Sequence, residues 1–127
     1  MKSYHDLEVY QDSLDLFFRV HPFSLLLPKY ELYELGSQVR RSSESINSNI
    51  IEGYGRRRYK ADFIKFLVFA HASTLETKGH LEKIRGLYPH LQVEASSLLD
   101  AYDQLGARIF TFIQYVEKHW NNPPTNE

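Results

Sequence analysis

The stretch Arg56-Arg57-Arg58-Tyr59-Lys60 is where residue types first suggest chemistry. Guanidinium and ammonium groups bind phosphate oxygens, and an aromatic ring beside them offers a face for an unpaired base. Tyr54, within Gly53-Tyr54-Gly55 just before, supplies a second ring. Between Gln38 and Lys60 six cations (Arg40, Arg41, Arg56, Arg57, Arg58 and Lys60) stand against two carboxylates (Glu44 and Glu52). That local balance of +4 sits in a chain of net charge −1, so the remainder carries −5. Arg40 and Arg41 lie about 23 Å from Arg56 along a helix and form a separate site. Glu44 can pair with either of them at helical spacing. The turn reads as a solubilising loop or as a phosphate-binding one. The second reading strengthens if several copies of the chain present such turns on one face.

Other chemistries find less support. The six His (His5, His21, His71, His80, His90 and His119) include no pair three or four apart. Glu76 and His80 share a helical turn, but two ligands do not make a metal site. The absence of Cys excludes a disulfide scaffold, a Cys-ligated zinc site and a thiol nucleophile. Gly53-Tyr54-Gly55 lacks the rest of a phosphate-loop pattern and follows a helix rather than a strand. Arg85 and His90, separated by four residues, resemble the short RNase motif of the HEPN helical-bundle superfamily. By that resemblance His90 would act in acid–base chemistry on a ribose 2′-hydroxyl. Pro89 just before the His, and no polar residue just after the Arg, depart from it. The expectation is no enzyme, with no catalytic residue, metal or cofactor.

Four helical segments must position these residues, at about 6–21, 28–52, 60–87 and 93–119, with a frayed tail at 120–127. Asp6 is the expected N-cap of the first, whose face is Tyr10, Leu14, Phe17 and Phe18, and Pro22 ends it. Pro28 opens the second, with Leu32, Leu35, Val39, Ile46 and Ile50 as its stripe, and Gly53 and Gly55 stop it. Phe63, Phe66, Leu67, Ala70, Thr74, Thr77, Leu81 and Ile84 mark the third. Leu98, Tyr102, Leu105, Ile109, Phe112, Val116 and Trp120 form the seam of the fourth. Segments of this length with short connections predict an all-α, up-down-up-down antiparallel four-helix bundle, one domain over 1–127.

A second stripe runs beside the apolar one on segment two. Glu31, Gln38, Ser45 and Glu52 are seven apart, with Asn49 three before Glu52. They share one edge of a helix. That edge is a solvated face, or a partly buried ladder meeting Ser73, Glu76 or Thr77 on segment three. In either case its role is structural.

Segment three has more apolar surface than one bundle can hide. Phe63, Leu67 and Ala70 fall on one side, while Val68, Ala72 and Leu75 fall nearly opposite and Phe69 lies between. Ile64 extends this second face. A contiguous aromatic and aliphatic excess predicts a subunit interface over Ile64, Val68, Phe69, Ala72 and Leu75.

Length and composition agree with a soluble protein that folds on its own core. The chain has 127 residues, 15 basic and 16 acidic. No apolar run approaches a membrane span. No apolar segment follows Met1, so no signal peptide is expected. The expected location is the cytoplasm.

The residues from Leu7 to Leu81 also carry a resemblance. They are Leu7, Val9 and Tyr10; Pro28, Glu31, Leu35 and Gln38; Arg40-Arg41; the run from Ser45 to Arg56; and Phe63, Phe66-Leu67, Ala70, Ser73, Glu76 and Leu81. This pattern resembles the small four-helix-bundle proteins encoded inside intervening sequences of bacterial 23S ribosomal RNA genes. The run from Ser45 to Arg56 is its most specific part. Ile51 departs from it, where the family usually has Ala. Segment four matches only in length and hydrophobicity. The resemblance implies an up-down bundle assembled as a homopentameric ring. Relatives include the accessory protein of diversity-generating retroelements, similar in fold, which engages a reverse transcriptase and nucleic acid. A partner of the RNA or ribonucleoprotein kind is therefore expected, with a ring serving a polymerase-type partner as the alternative. No membrane or small-molecule partner is expected.

Overall fold

Apolar residues at helical spacing gather four helices in the computed structural model, which describes residues 3–121. They are α1 (Glu8–Ser24), α2 (Leu35–Gly55), α3 (Lys60–Leu87) and α4 (Gln92–His119). Short 3-10 turns at Tyr4–Asp6, Lys29–Glu31 and Pro89–Leu91 complete the described residues, which contain no strand. Each helix packs on its sequence neighbours and α1 closes on α4, while no close backbone approach joins α1 to α3 or α2 to α4. This is the all-α, up-down-up-down bundle the spacing predicts.

The helix boundaries differ from expectation where tertiary contacts outweigh local signals. Ser3 caps the first 3-10 turn, its hydroxyl accepting from the His5 N–H, while the Asp6 carboxylate accepts from the Ser3 N–H. Asp6 thus closes a capping box one turn early, and Leu7 is the N-cap of α1. The buried face of α1 is Val9, Ser13, Leu16, Val20 and Phe23, with Tyr10 at its edge. Its spacing of four, three, four and three is the tighter helical stripe. Ser13 breaks the apolar pattern yet is buried, because its hydroxyl donates to the Tyr10 carbonyl at 2.8 Å. The expected stripe is thereby rotated, leaving Leu14 and Phe17 half-buried and Phe18 exposed.

Pro22 lies inside α1 and does not end it. The extra half-turn places Phe23 and Ser24 in the core, where Ser24 accepts a hydrogen bond from Arg40 at 2.8 Å. The other guanidinium nitrogen of Arg40 donates to the Leu32 carbonyl at 2.8 Å. Arg40 therefore clamps the connector between α1 and α2, and the regular helix starts at Leu35 instead of Pro28.

Gly53 and Gly55 do not stop α2 through a left-handed cap, since no described glycine has positive φ. The helix runs through Gly55. Gly53 serves packing: a Cβ there would lie 3.2 Å from Phe66 Cβ and 3.3 Å from the Phe63 carbonyl. Gly55 has open space around it. Gly53→Ala should therefore cost about 1 kcal/mol through overpacking against atoms that cannot swing away. Gly55→Ala should gain about 0.5–1 kcal/mol from helix propensity. Urea midpoints moving in the same direction for both would contradict this contrast.

Helices α3 and α4 match expectation in extent and in most of their stripes, except that Phe66, Phe112 and Trp120 are half-buried and Ile113 is the inward residue beside Phe112. Phe63, Leu67, Ala70, Thr74, Thr77, Leu81 and Ile84 of α3 are buried, as are Ala95, Leu98, Leu99, Tyr102, Leu105, Ile109, Ile113 and Val116 of α4. Trp120 does not belong to a frayed tail. Its backbone N–H donates to the Val116 carbonyl, and its ring packs edge-on against Phe63 with centroids 5.0 Å apart. The rest of the expected tail, from residue 122 on, lies outside the described residues.

Candidate nucleic-acid and assembly surfaces

The basic turn joins α2 to α3 at one end of the bundle, beside the start of α1 and the end of α4. Helix C-termini carry partial negative charge, and this turn supplies cations to two of them. Arg57 donates to the Tyr54 carbonyl at 3.0 Å, and its guanidinium stacks over the Tyr54 ring at 3.9 Å from the centroid. Lys60 donates to the Glu117 carbonyl in the last turn of α4. Arg56 pairs with Glu52 at 2.8 Å, approaches Asp62 at 3.9 Å and covers the Phe66 ring at 4.8 Å. Arg58 lies 6.0 Å from the centroid of Tyr59.

These contacts sort the expected phosphate-binding residues. Arg56, Arg57, Arg58 and Tyr59 are exposed and adjacent, and Lys60 is half-buried beside them. Exposed ion pairs such as Arg56–Glu52 contribute little and exchange readily for a stronger anion. Tyr54 is only 6% exposed and packs under Arg57 and against Tyr4, so it offers no face to a base. Arg40 is committed to the connector and does not face solvent as a ligand-binding group. Arg41 is exposed on α2, apart from the turn. Glu44 accepts from Ser48 at 2.9 Å.

The seven-residue ladder is only partly a ladder. Ser45 meets Ser73 of α3 at 3.0 Å, and Asn49 donates back to the Ser45 carbonyl and hydroxyl. Gln38 and Glu52 are exposed. Glu31 lies on the 3-10 turn before α2, is buried, and accepts a hydrogen bond from the Tyr88 hydroxyl. The fully buried link between α2 and α3 is instead Thr77 donating to Ser42 at 2.8 Å, with Thr77 one of the partners expected from α3.

On α3 the second apolar face is uncovered. Val68, Phe69 and Leu75 are 47%, 44% and 56% exposed, Ala72 between them is exposed, and Ile64 is half-buried against the core. A further exposed apolar group, which no spacing in the sequence marks, lies at the opposite end of the bundle. There Leu25, Leu26, Tyr30, Tyr33, Leu87 and Val93 are exposed around the two connectors. Leu25, Leu26, Tyr30 and Tyr33 lie between helices, and Leu87 and Val93 lie at helix ends, where no periodicity argument reaches.

Arg85 and His90 show no joint geometry. Arg85 reaches Ser96 at 3.4 Å, and exposed His90 sits on its 3-10 turn with its ring 6.3 Å from that of Tyr88. Burial pushes His80 below its ordinary value, with Glu76 opposing. Among the described residues no three His, Asp or Glu side chains are grouped to hold a metal ion, and no helix is long and apolar enough to cross a membrane.

The fold and its surfaces define an antiparallel helical bundle with a basic end and an unpartnered apolar helix face. The family model of the 23S rRNA-intervening sequence protein matches residues 5–111, and the chain belongs to that family. It is also similar to a crystal structure from Bacteroides thetaiotaomicron, described as a protein of unknown function from the S23 ribosomal protein family. The two share 23% identity with a TM-score of 0.74, over 84% of this chain and 95% of that one. That likeness supports the fold. No curated protein matches the chain.

Proposed function

We propose that this protein is a non-enzymatic scaffold: an oligomer of helical bundles, a pentamer by resemblance, that holds RNA or a ribonucleoprotein in the cytoplasm through its basic turns. The carrying observation is that the uncovered face of α3 begins at Val68, about 12 Å along the same helix from the basic turn. A cyclic ring built through that face sets every copy of Arg56, Arg57, Arg58 and Tyr59 at one height on one rim. One turn is a weak phosphate site, whereas several presented together bind with an avidity no single one has. Family membership supports the RNA partner.

Light scattering tests the assembly: about 75 kDa is expected for five chains of 15.0 kDa, and a lone 15.0 kDa species contradicts it. Filter retention of single-stranded RNA tests the partner. Retention at low salt should fall steeply as salt rises and disappear in the triple variant Arg56→Ala, Arg57→Ala, Arg58→Ala. An oligomer that retains no RNA at low salt removes the RNA assignment and leaves the scaffold.

A further inference from the structure

We propose that the exposed ridge of α3 in one copy seats in the groove between α1 and α4 of the next, so that two different surfaces close the ring. The inference rests on the oligomeric reading above and names its contact. The ridge is Val68, Phe69, Ala72 and Leu75. The groove, about 590 Å³, opens where the start of α1 meets the second half of α4. Leu7, Val9, Ala107, Phe112 and Tyr115 line it, and the Phe112 and Tyr115 rings stack 6.2 Å apart. Aromatic pockets of this size and character are what apolar side chains from a partner fill.

Charge complements shape. The Lys65 ammonium lies 6.0 Å and 5.9 Å from the Phe66 and Phe69 centroids, which places a cation on the flank of the ridge. Asp6 and Glu8 place carboxylates on the lining of the groove, whose one cation, Arg108, is already paired with Asp12 at 2.6 Å. Height also agrees. At 1.5 Å per residue, Lys65 to Leu75 spans about 7–22 Å from the basic end of the bundle, and Ala107 to Tyr115 spans about 6–18 Å from that end. Equal height removes the climb that makes a heterologous contact grow as a helical filament, and the ring closes when the rotation between neighbours divides a full turn. Ridge against ridge, by contrast, would pair surfaces that each carry Lys65 and would leave the groove empty in both copies.

The chain has no Cys, so introduced thiols are the only ones. Ala72 and Ala107 are both small and exposed. The double variant Ala72→Cys, Ala107→Cys, treated with short bis-maleimides, should give a covalent ladder ending at the subunit number found by light scattering. Neither single variant should link to itself, and a reassembled mixture of the two should stop at pairs. Lys65→Glu should raise the concentration at half-dissociation by about tenfold or more, and adding Glu8→Lys should restore it. Self-linking by Ala72→Cys alone, an oligomer whose double variant forms no ladder, or one indifferent to both charge reversals overturns the assignment while the scaffold stands. A monomer at every concentration overturns both.

Discussion

Phe63→Ala should lower the unfolding free energy by about 3–5 kcal/mol, the loss expected when a fully buried aromatic leaves a cavity. Phe63 is fully buried beneath the basic turn. Its ring packs edge-on against Phe112 at 5.9 Å and Trp120 at 5.0 Å, and the backbone of Gly53 lies directly against it. One side chain thus holds the ends of α2 and α4 to the start of α3. The sidedness of that contact limits collapse, because Gly53 has no side chain to move into the space. Trp120 is the only Trp, and its indole N–H donates to the Arg57 carbonyl at 3.3 Å. Urea unfolding followed by its fluorescence therefore reads stability and the order of the basic turn together. A folded-state red shift should accompany the loss, and a loss under about 1 kcal/mol would contradict the central placement of Phe63.

How much of this was legible in the residues depends on which level of structure decided each feature. Helices α3 and α4 were legible nearly to the residue, because long periodic stripes bounded by Pro89 and the Gly55–Tyr59 turn agree with their packing. The uncovered face of α3 was legible for the same reason: an all-round apolar helix shows its excess before anything is packed on it. The stripe of α1 was misread because large aromatics look like core, whereas Ser13 and Val20 are the residues inside. Pro22 and Pro28 are local stop and start signals, and they lost to a contact 16 residues away, Arg40 to Ser24. Gly53 matters for packing and not as a helix stop. Its lack of a side chain matters to Phe63 and Phe66, and its backbone is ordinary helix.

The basic turn shows the same division. Charge segregation is a property of composition and is visible in the chain. The commitment of Arg57 to Tyr54 and of Lys60 to Glu117 depends on which helix ends converge, and that exists only in the fold. The turn therefore does two things. It neutralises two helix C-termini, and it leaves Arg56, Arg58 and Tyr59 facing outward.

Two tyrosines in the structure should respond oppositely to the same chemical change. Tyr102 is fully buried in α4, and its hydroxyl has no hydrogen-bond partner among the described residues. The nearby Ser43 hydroxyl donates to the Arg40 carbonyl instead. Burial pushes the Tyr102 phenol well above its ordinary value near 10, with Ser43 and the Arg19 charge opposing. Tyr88 is also pushed up, first by donating to the Glu31 carboxylate, then by Tyr30 and by burial. In both cases the folded chain holds its proton more tightly than the unfolded chain does. The associated stability is complete below about pH 10 and is lost as the pH climbs past it, because only the unfolded chain releases the proton. Tyr102→Phe should remove part of that alkaline loss and gain about 1 kcal/mol at neutral pH, since a buried phenol without a partner is gone. Tyr88→Phe should also flatten the alkaline loss but destabilise at neutral pH, because it leaves the buried Glu31 carboxylate without its donor. Urea midpoints for the two variants at neutral pH and at about pH 10.5 separate these outcomes. A Tyr102→Phe variant less stable than the parent at neutral pH would mean that the buried hydroxyl is satisfied after all.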